Sequence, residues 1–325
     1  MAERGGIDLG GTKIEAIVAS DSGEVLGHAR YPTPVEGGPP AVAAEMARAQ
    51  REAAAGAGVA VEALIGVGVG SPGSIDPATG TVSGAGNLPD WSGSFGLGRA
   101  LSEDLGVPVR LGNDVSVATR AEFELGAGRD YRSLLGVFWG TGVGGGIVLD
   151  GELWEGQGAA GEIGHIVVRR DGAQCPCGRR GCMEAYAGRG AMEERARREV
   201  DDGEKTVLFE IMEKRGRPRL TSGIWERALD QDDALAHRLI ERAIRALGTG
   251  VASAVNLLDV EAVVIGGGLG LRIGPRYLDE IMDEMREHLF VREREPALVV
   301  GTLGDLGGAL GASLLVREEH APAPA

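Results

Sequence analysis

Two stretches about 130 residues apart share one plan, and that repeat limits the fold more than any other feature of the chain. Residues 5–20 (GGIDLGGTKIEAIVAS) and 136–151 (GVFWGTGVGGGIVLDG) each pass from an apolar run through a glycine turn into a second apolar run. Ile and Val flank both turns without helical periodicity, so each stretch reads as a β-hairpin. A chain that opens both halves alike is expected to fold as two related α/β domains. Its 325 residues, 43% of them apolar, are enough for two cores. Between the hairpins the pattern predicts a helix over 41–56, a strand over 64–70 buried on both faces, and a polar stretch over 71–96. A helix over 97–105, a strand over 107–111 and a helix from Asp114 to Gly126 follow. In the second half helices are expected at 188–200, 222–230, 233–257 and 275–289, with strands at 260–265 and 297–302. A last helix at 305–317 should pack back on a first domain of residues 1–115, leaving 116–304 as the second domain and 318–325 as a disordered tail. This alternation of helix and strand calls for substantially parallel or mixed sheets.

Charge and hydropathy narrow the partners. Asp and Glu total 48 against 33 Lys and Arg, a net charge of −15 that argues against nucleic acid and anionic membrane surfaces. The longest apolar region, 251–268, is broken by Asn256, Asp259 and Glu261, short of the roughly 18 clean residues a membrane span needs. The start of the chain has no basic segment followed by a long apolar one, so a cytoplasmic protein is expected.

The glycine turns are where chemistry is expected. In DLGGTK (8–13), Gly10 and Gly11 let backbone N–H groups approach phosphate oxygens, with the Thr12 hydroxyl and Lys13 as further donors. In GTGVGGG (140–146), Thr141, Gly142 and Gly144 offer the same. Neither has the spacing of a P-loop, and one such hairpin alone is commonly structural; two heading similar halves suggest a grip on one polyphosphate. Asp8 either binds Mg²⁺ through water or caps its turn. A third cluster, IGGGLG (265–270), places Gly267 and Gly268 between a strand and a helix, where backbone can lie flat against a nucleotide. In GND (112–114), Asp114 falls at a helix N-cap; at the C-terminal end of a strand it also faces the usual ligand crevice of an α/β sheet, as a base for a hydroxyl nucleophile. Asn113 beside it supplies a donor and an acceptor for a polyol, and Asn87 in the polar stretch is a further candidate sugar contact.

All three cysteines lie in EIGHIVVRRDGAQCPCGRRGCME (162–184). His165, Cys175, Cys177 and Cys182 make the one-imidazole, three-thiolate set of a closed structural Zn²⁺ site, and the glycines permit the reversals that would bring the sulfurs within about 2.3 Å of one ion. A disulfide would strand one cysteine and does not suit a reducing compartment.

With DLGGTK, GND, GTGVGGG, EIGH, CPCGRRGCME and IGGG in this order, the chain resembles the bacterial ROK sugar kinases, and among them the ATP-dependent glucokinases. The resemblance implies an actin/hexokinase-like, ribonuclease-H-type fold, two α/β domains with a ligand cleft between them. It makes Asp114 the general base, and makes Glu162, His165 and Glu184 contacts to sugar hydroxyls held in place by the zinc loop. It implies MgATP and glucose as substrates in carbohydrate metabolism, and a homodimer or tetramer. Phe138-Trp139 stands where smaller residues are common in the family, and Gly188 where a Ser is common. The same motifs fit a kinase for N-acetylglucosamine, N-acetylmannosamine, fructose or allose, a polyphosphate donor, and a non-catalytic sugar-sensing protein. A DNA-reading repressor of this family would carry a helix-turn-helix ahead of the first glycine turn, whereas here DLGGTK begins at residue 8.

Overall fold

Both hairpins form where the glycine turns predict them. In the first half, β1 (Arg4–Leu9), β2 (Lys13–Ala19) and β3 (Val25–Pro32) are antiparallel neighbours, with Leu9 opposite Ile14 and Asp8 opposite Glu15. α1 (Gly38–Gly56) leads to β4 (Val67–Ser71), which runs parallel to β1. The polar stretch then folds into three short antiparallel strands that the sequence pattern does not reveal, β5 (Ser74–Asp76), β6 (Thr81–Ser83) and β7 (Ser94–Phe95). α2 (Leu97–Leu105) returns the chain to β8 (Val109–Asn113), parallel to β4, and α3 (Asp114–Leu125) follows. The computed structural model describes residues 3–316 except 87, 89 and 92; the expected tail 318–325 and the candidate Asn87 therefore lie outside the described residues.

The second half repeats the order. β9 (Leu134–Trp139), β10 (Val143–Leu149) and β11 (Glu152–Leu153) are antiparallel, and a long helical excursion follows: α4 (Glu184–Ala187), α5 (Arg189–Asp201), α6 (Leu208–Lys214), α7 (Ser222–Leu229) and α8 (Ala234–Leu258). β12 (Ala262–Gly266) then pairs parallel to β9, α9 (Gly267–Ile273) and α10 (Leu278–His288) cross over, and β13 (Ala297–Val300) pairs parallel to β12. The sheets read β3-β2-β1-β4-β8 and β11-β10-β9-β12-β13, the same order and strand senses twice, which is the duplicated ribonuclease-H-type, actin/hexokinase-like architecture.

Each half has its own core. In the first, Ile7, Leu9, Ile14, Met46, Val67, Val69, Leu97 and Leu101 are fully buried, so the sheet is sandwiched by helix. The last helix, α11 (Gly307–Ser313), packs on β1, β4 and α3, and its Ala309 joins Ile17, Ala19 and Ala121 in a small separate cluster. Two compact units result: residues 1–126 with 155–158 and 303–325, and residues 127–154 with 159–302. α3 thus belongs with the first unit rather than beyond a limit at 115, because one face of it is tied to α11 and β4. In the second unit, Trp139, Trp225, Leu135, Ile240, Leu247 and Val263 are buried around α8. Among the described residues no helix is long and apolar enough to cross a membrane.

Candidate active site

In the first unit the parallel strands β1, β4 and β8 end side by side, with Asp8 level with Gly70, and Gly70 level with Gly112. Asp8 and Asp114 are therefore delivered to one sheet edge by backbone pairing, at the C-terminal ends where α/β sheets bind ligands. Burial pushes the Asp8 carboxyl up to about 7, and the nearby Asp114 carboxylate pushes in the same direction. Two such carboxyls side by side suit a divalent cation, whose charge would favour the ionised form of Asp8. Asp114 is the first residue of α3 and not its cap. The cap is Asn113, whose Oδ1 accepts from the N–H groups of Val115 and Ser116, both at 3.1 Å. An Asn reaches back to those amides from extended backbone, and its neighbour Asp114 is left to accept from Val115 N–H at 2.9 Å.

The first glycine turn closes with Gly10 N–H donating to the Lys13 carbonyl at 2.9 Å, and the Thr33 hydroxyl donates to the Gly10 carbonyl at 2.6 Å. Lys13 does not stand alone: its Nζ lies 2.9 Å from Glu15 and 3.8 Å from Asp305. Glu15 is fully buried, and its carboxylate also receives Arg30 Nε at 2.7 Å and the ring of His28. Burial alone would push Glu15 up, but the bonds from His28, Lys13 and Arg30 hold it below the ordinary carboxylate range. None of the motifs marks Glu15; it pairs with Asp8 across the hairpin, and two acids at that register are its signal in the sequence.

The second unit gathers more of the candidates. The turn between β9 and β10 closes with Gly140 N–H donating to the Gly142 carbonyl at 2.9 Å. It is docked on the start of α5, where Arg189 N–H donates to the Gly140 carbonyl and Gly190 N–H to the Thr141 carbonyl, each at 3.0 Å. Trp139 Nε1 donates to the Ala187 carbonyl at 2.7 Å, so the strand end is fixed as well. Glu184 Oε2 accepts from Val143 N–H at 2.9 Å, and a Cβ on Gly142 would sit 2.2 Å from that oxygen. A side chain there would displace the carboxylate. The cluster at the head of α9 closes on the same turn: Gly268 N lies 3.8 Å from where a Cβ of Gly140 would be, and Ser222 Oγ lies 3.2 Å from a Cβ on Gly268. Gly140 and Gly268 are therefore neighbours, and the second glycine turn and the head of α9 meet there.

The cysteine segment folds beside this turn. Ligand atoms of His165, Cys175, Cys177 and Cys182 all lie within 4.8 Å of one another, with Cys175 Sγ 3.8 Å from His165 Nδ1 and Cys177 Sγ 3.7 Å from Cys182 Sγ. Those separations are the edges of a tetrahedron with metal–sulfur bonds of about 2.3 Å, and far beyond the roughly 2.05 Å of a disulfide. Gly178 and Gly181, at φ +87° and +83°, make the reversals that gather the sulfurs. Burial pushes the Cys175 thiol up to about 12, while the N–H and side chain of Arg179 pull Cys177 down to about 6. The set fits a tetrahedral metal that takes thiolate and imidazole ligands. His165 keeps its Nε2 on the far side, 3.8 Å from Glu162, and Cys175 Sγ lies 3.9 Å from Glu184 Oε1. Glu162, His165 and Glu184 are thus brought together around the metal set.

Comparison with known proteins gives one family along the whole chain. The ROK family model matches residues 4–319. The glucokinase of Halalkalibacterium halodurans is 33% identical over 318 residues, 97% of this chain and 95% of that protein. A ROK hexokinase from Thermus thermophilus is 35% identical at a TM-score of 0.77, covering 96% of this chain and 97% of that one. A ROK family glucokinase from Streptomyces griseus, solved in complex with glucose and AMPPNP, is 31% identical at a TM-score of 0.82, covering 97% and 99%.

Proposed function

The chain belongs to the ROK family, and from that premise we propose that it transfers the terminal phosphoryl group of ATP to the 6-hydroxyl of glucose. The observation that carries this reading is Asp114, at the C-terminal end of β8 and near enough to Asp8 for its charge to raise the Asp8 carboxyl. A silent sugar-binding protein would use Asp114 only as a hydrogen-bond acceptor and would not need the carboxyl of Asp8 beside it.

In this reaction Asp114 orients the 6-hydroxyl and takes its proton as the oxygen attacks phosphorus. Asn113 caps α3 through Oδ1 and keeps its amide N–H groups for a sugar hydroxyl. Glu162, His165 and Glu184 bind the remaining hydroxyls, each carboxylate accepting from two neighbours and so selecting ring face and epimer. Gly10 N–H and Val143 N–H are taken by the Lys13 carbonyl and Glu184, so the backbone N–H groups of Gly11, Thr12, Thr141 and Gly142 meet the phosphates, and Gly267 and Gly268 lie against the nucleoside. Mg²⁺ held through water by Asp8 would supply positive charge for the β and γ phosphates. Zn²⁺ held by His165, Cys175, Cys177 and Cys182 would be structural, fixing the tautomer and direction of His165. The same reading makes the protein a cytoplasmic homo-oligomer, dimer or tetramer, acting on small molecules; its acidity supports the absence of nucleic-acid partners.

A phosphorylation assay across glucose, N-acetylglucosamine, N-acetylmannosamine, fructose and allose, with ATP and with polyphosphate, tests the proposal. Glucose with ATP should give the highest kcat/KM. A higher value for another sugar or donor replaces the substrate, and no turnover with any combination rejects the enzyme.

A further inference from the structure

We propose that Arg189 is the cation that grips the nucleotide polyphosphate at the second glycine turn, an assignment that rests on the kinase reading and that none of the motifs makes. Arg189 is the first residue of α5, between Gly188 and Gly190. Its backbone N–H donates to the Gly140 carbonyl of the turn, and its guanidinium reaches two hydroxyls beside it. One terminal nitrogen donates to the Thr141 hydroxyl at 2.8 Å, and the other reaches Ser222 Oγ at 3.4 Å. Those hydroxyls belong to the rim on which the two second-unit glycine clusters meet, since Thr141 is the tip of the turn and Ser222 abuts Gly268. The side chain thus spans the ground between the expected phosphate turn and the expected nucleoside platform.

Arg189 has no structural need for its charge. The one acid in its field, Glu193, is buried and already occupied by Arg197 at 2.8 Å, Arg219 at 3.0 Å and the N–H of Leu220 at 2.9 Å. Among the described residues no carboxylate lies within ion-pair distance of Arg189; its bonded partners are two neutral hydroxyls. Burial and the neighbouring Arg219 both work against its positive form. A guanidinium kept charged under those conditions, with several of its five N–H donors unspent, is ready for an anion, and its planar fork matches two oxygens of a phosphate. A neutral donor such as a glutamine amide would serve if the only task were to brace Thr141.

Neutral and conservative variants separate those roles. Arg189→Gln keeps N–H donors for the hydroxyls and loses the charge; Arg189→Lys keeps the charge and loses the fork. Affinities for ADP and for adenosine, measured calorimetrically alongside glucose affinity and melting temperature, give the readout. The glutamine variant should bind ADP about tenfold to a hundredfold more weakly, the loss of one charge-assisted contact, with adenosine and glucose unchanged; lysine should recover part of the loss. A glutamine variant that binds ADP like the wild type overturns the proposal, and so does one that loses adenosine as strongly as ADP, which would mean a collapsed site. Wild-type protein that binds no ADP overturns both this assignment and the kinase reading, whereas a wild-type kinase indifferent to Arg189→Gln overturns the assignment alone.

Discussion

The two glycine hairpins hold the same place in two sheets of the same order, yet their surroundings have opposite chemistry. At the next-to-last position of β1 stands Asp8; at that of β9 stands Phe138, whose ring lies 2.7 Å from where a Cβ of Gly266 would be. The partner across the hairpin is Glu15 in one case and Gly144 in the other. The first turn leaves acids at the sheet edge and has its lysine tied to Glu15. The second has exchanged acid for aromatic packing and is clamped by the start of α5, by Glu184 and by Arg189. A repeated backbone therefore fixes where N–H groups point, and the side chains brought by later segments decide whether the place suits a cation or an anion.

If the acids mark the reacting end, the largest effect of any substitution belongs to Asp114. Asp114→Asn keeps the shape and cannot take a proton, so kcat should fall by about 10² to 10⁴ with glucose affinity retained. Near-normal turnover in a verified Asp114→Asn preparation would break the assignment of chemistry to the first unit.

The metal set tests the other side of the comparison. Sequence alone places the cysteine loop apart from both phosphate turns and predicts an effect on sugar more than on ATP. In the structure Glu184 joins them, one oxygen toward Cys175 and the other on Val143 N–H. Stripping the metal, or Cys177→Ser, should raise glucose KM about tenfold or more, lower the melting temperature, and raise ATP KM as well. Elemental analysis should find about one zinc per chain, and X-ray absorption mainly sulfur with one nitrogen neighbour. An ATP KM indifferent to the metal would cut the link through Glu184.

Much of the fold is legible in the sequence. Runs of Ile and Val around glycine turns fix both hairpins, and the alternating pattern that follows places nearly every long helix within a few residues. What escaped depends on partners distant in sequence. β3 buries little of itself and reads as polar, while β5, β6 and β7 have two or three residues each and no periodicity to detect. The capping role of Asn113 follows from the angle at which β8 enters α3, which one letter next to Asp114 does not encode. Arg189 was visible only as an arginine between two glycines after the cysteine motif; its meaning comes from Thr141, 48 positions away.

The turns should also differ in tolerance for a methyl group. A Cβ on Gly142 meets Glu184 Oε2 at 2.2 Å, and one on Gly10 meets the Lys13 carbonyl at 3.2 Å. Gly142→Ala must displace the carboxylate, and a cost of about 1–3 kcal/mol is expected, with ATP KM raised. Gly10→Ala needs a shift of tenths of an ångström and should cost under about 1 kcal/mol. Equal losses in chemical denaturation would show that Glu184 does not clamp the second turn.

The pH dependence of stability is the most direct measure of the acid end. Asp8 has its folded value raised to about 7 from an ordinary 3.8, mainly by burial and then by Asp114. Between those values the folded protein holds a proton that the unfolded chain has released, so stability from this group declines as pH rises. The contribution is complete below pH 3.8 and gone above about 7. Metal-free urea unfolding from pH 5 to 8 should therefore show a downward slope that Asp8→Asn flattens, while Mg²⁺ affinity of the wild type strengthens over the same range because cation and proton compete for the carboxylate. Phe138, at the matching position, has nothing to titrate, and Phe138→Leu should leave the slope as it was. A slope that persists in Asp8→Asn would mean that another carboxyl carries the raised affinity for the proton, and the acid character assigned to the first hairpin would have to move with it.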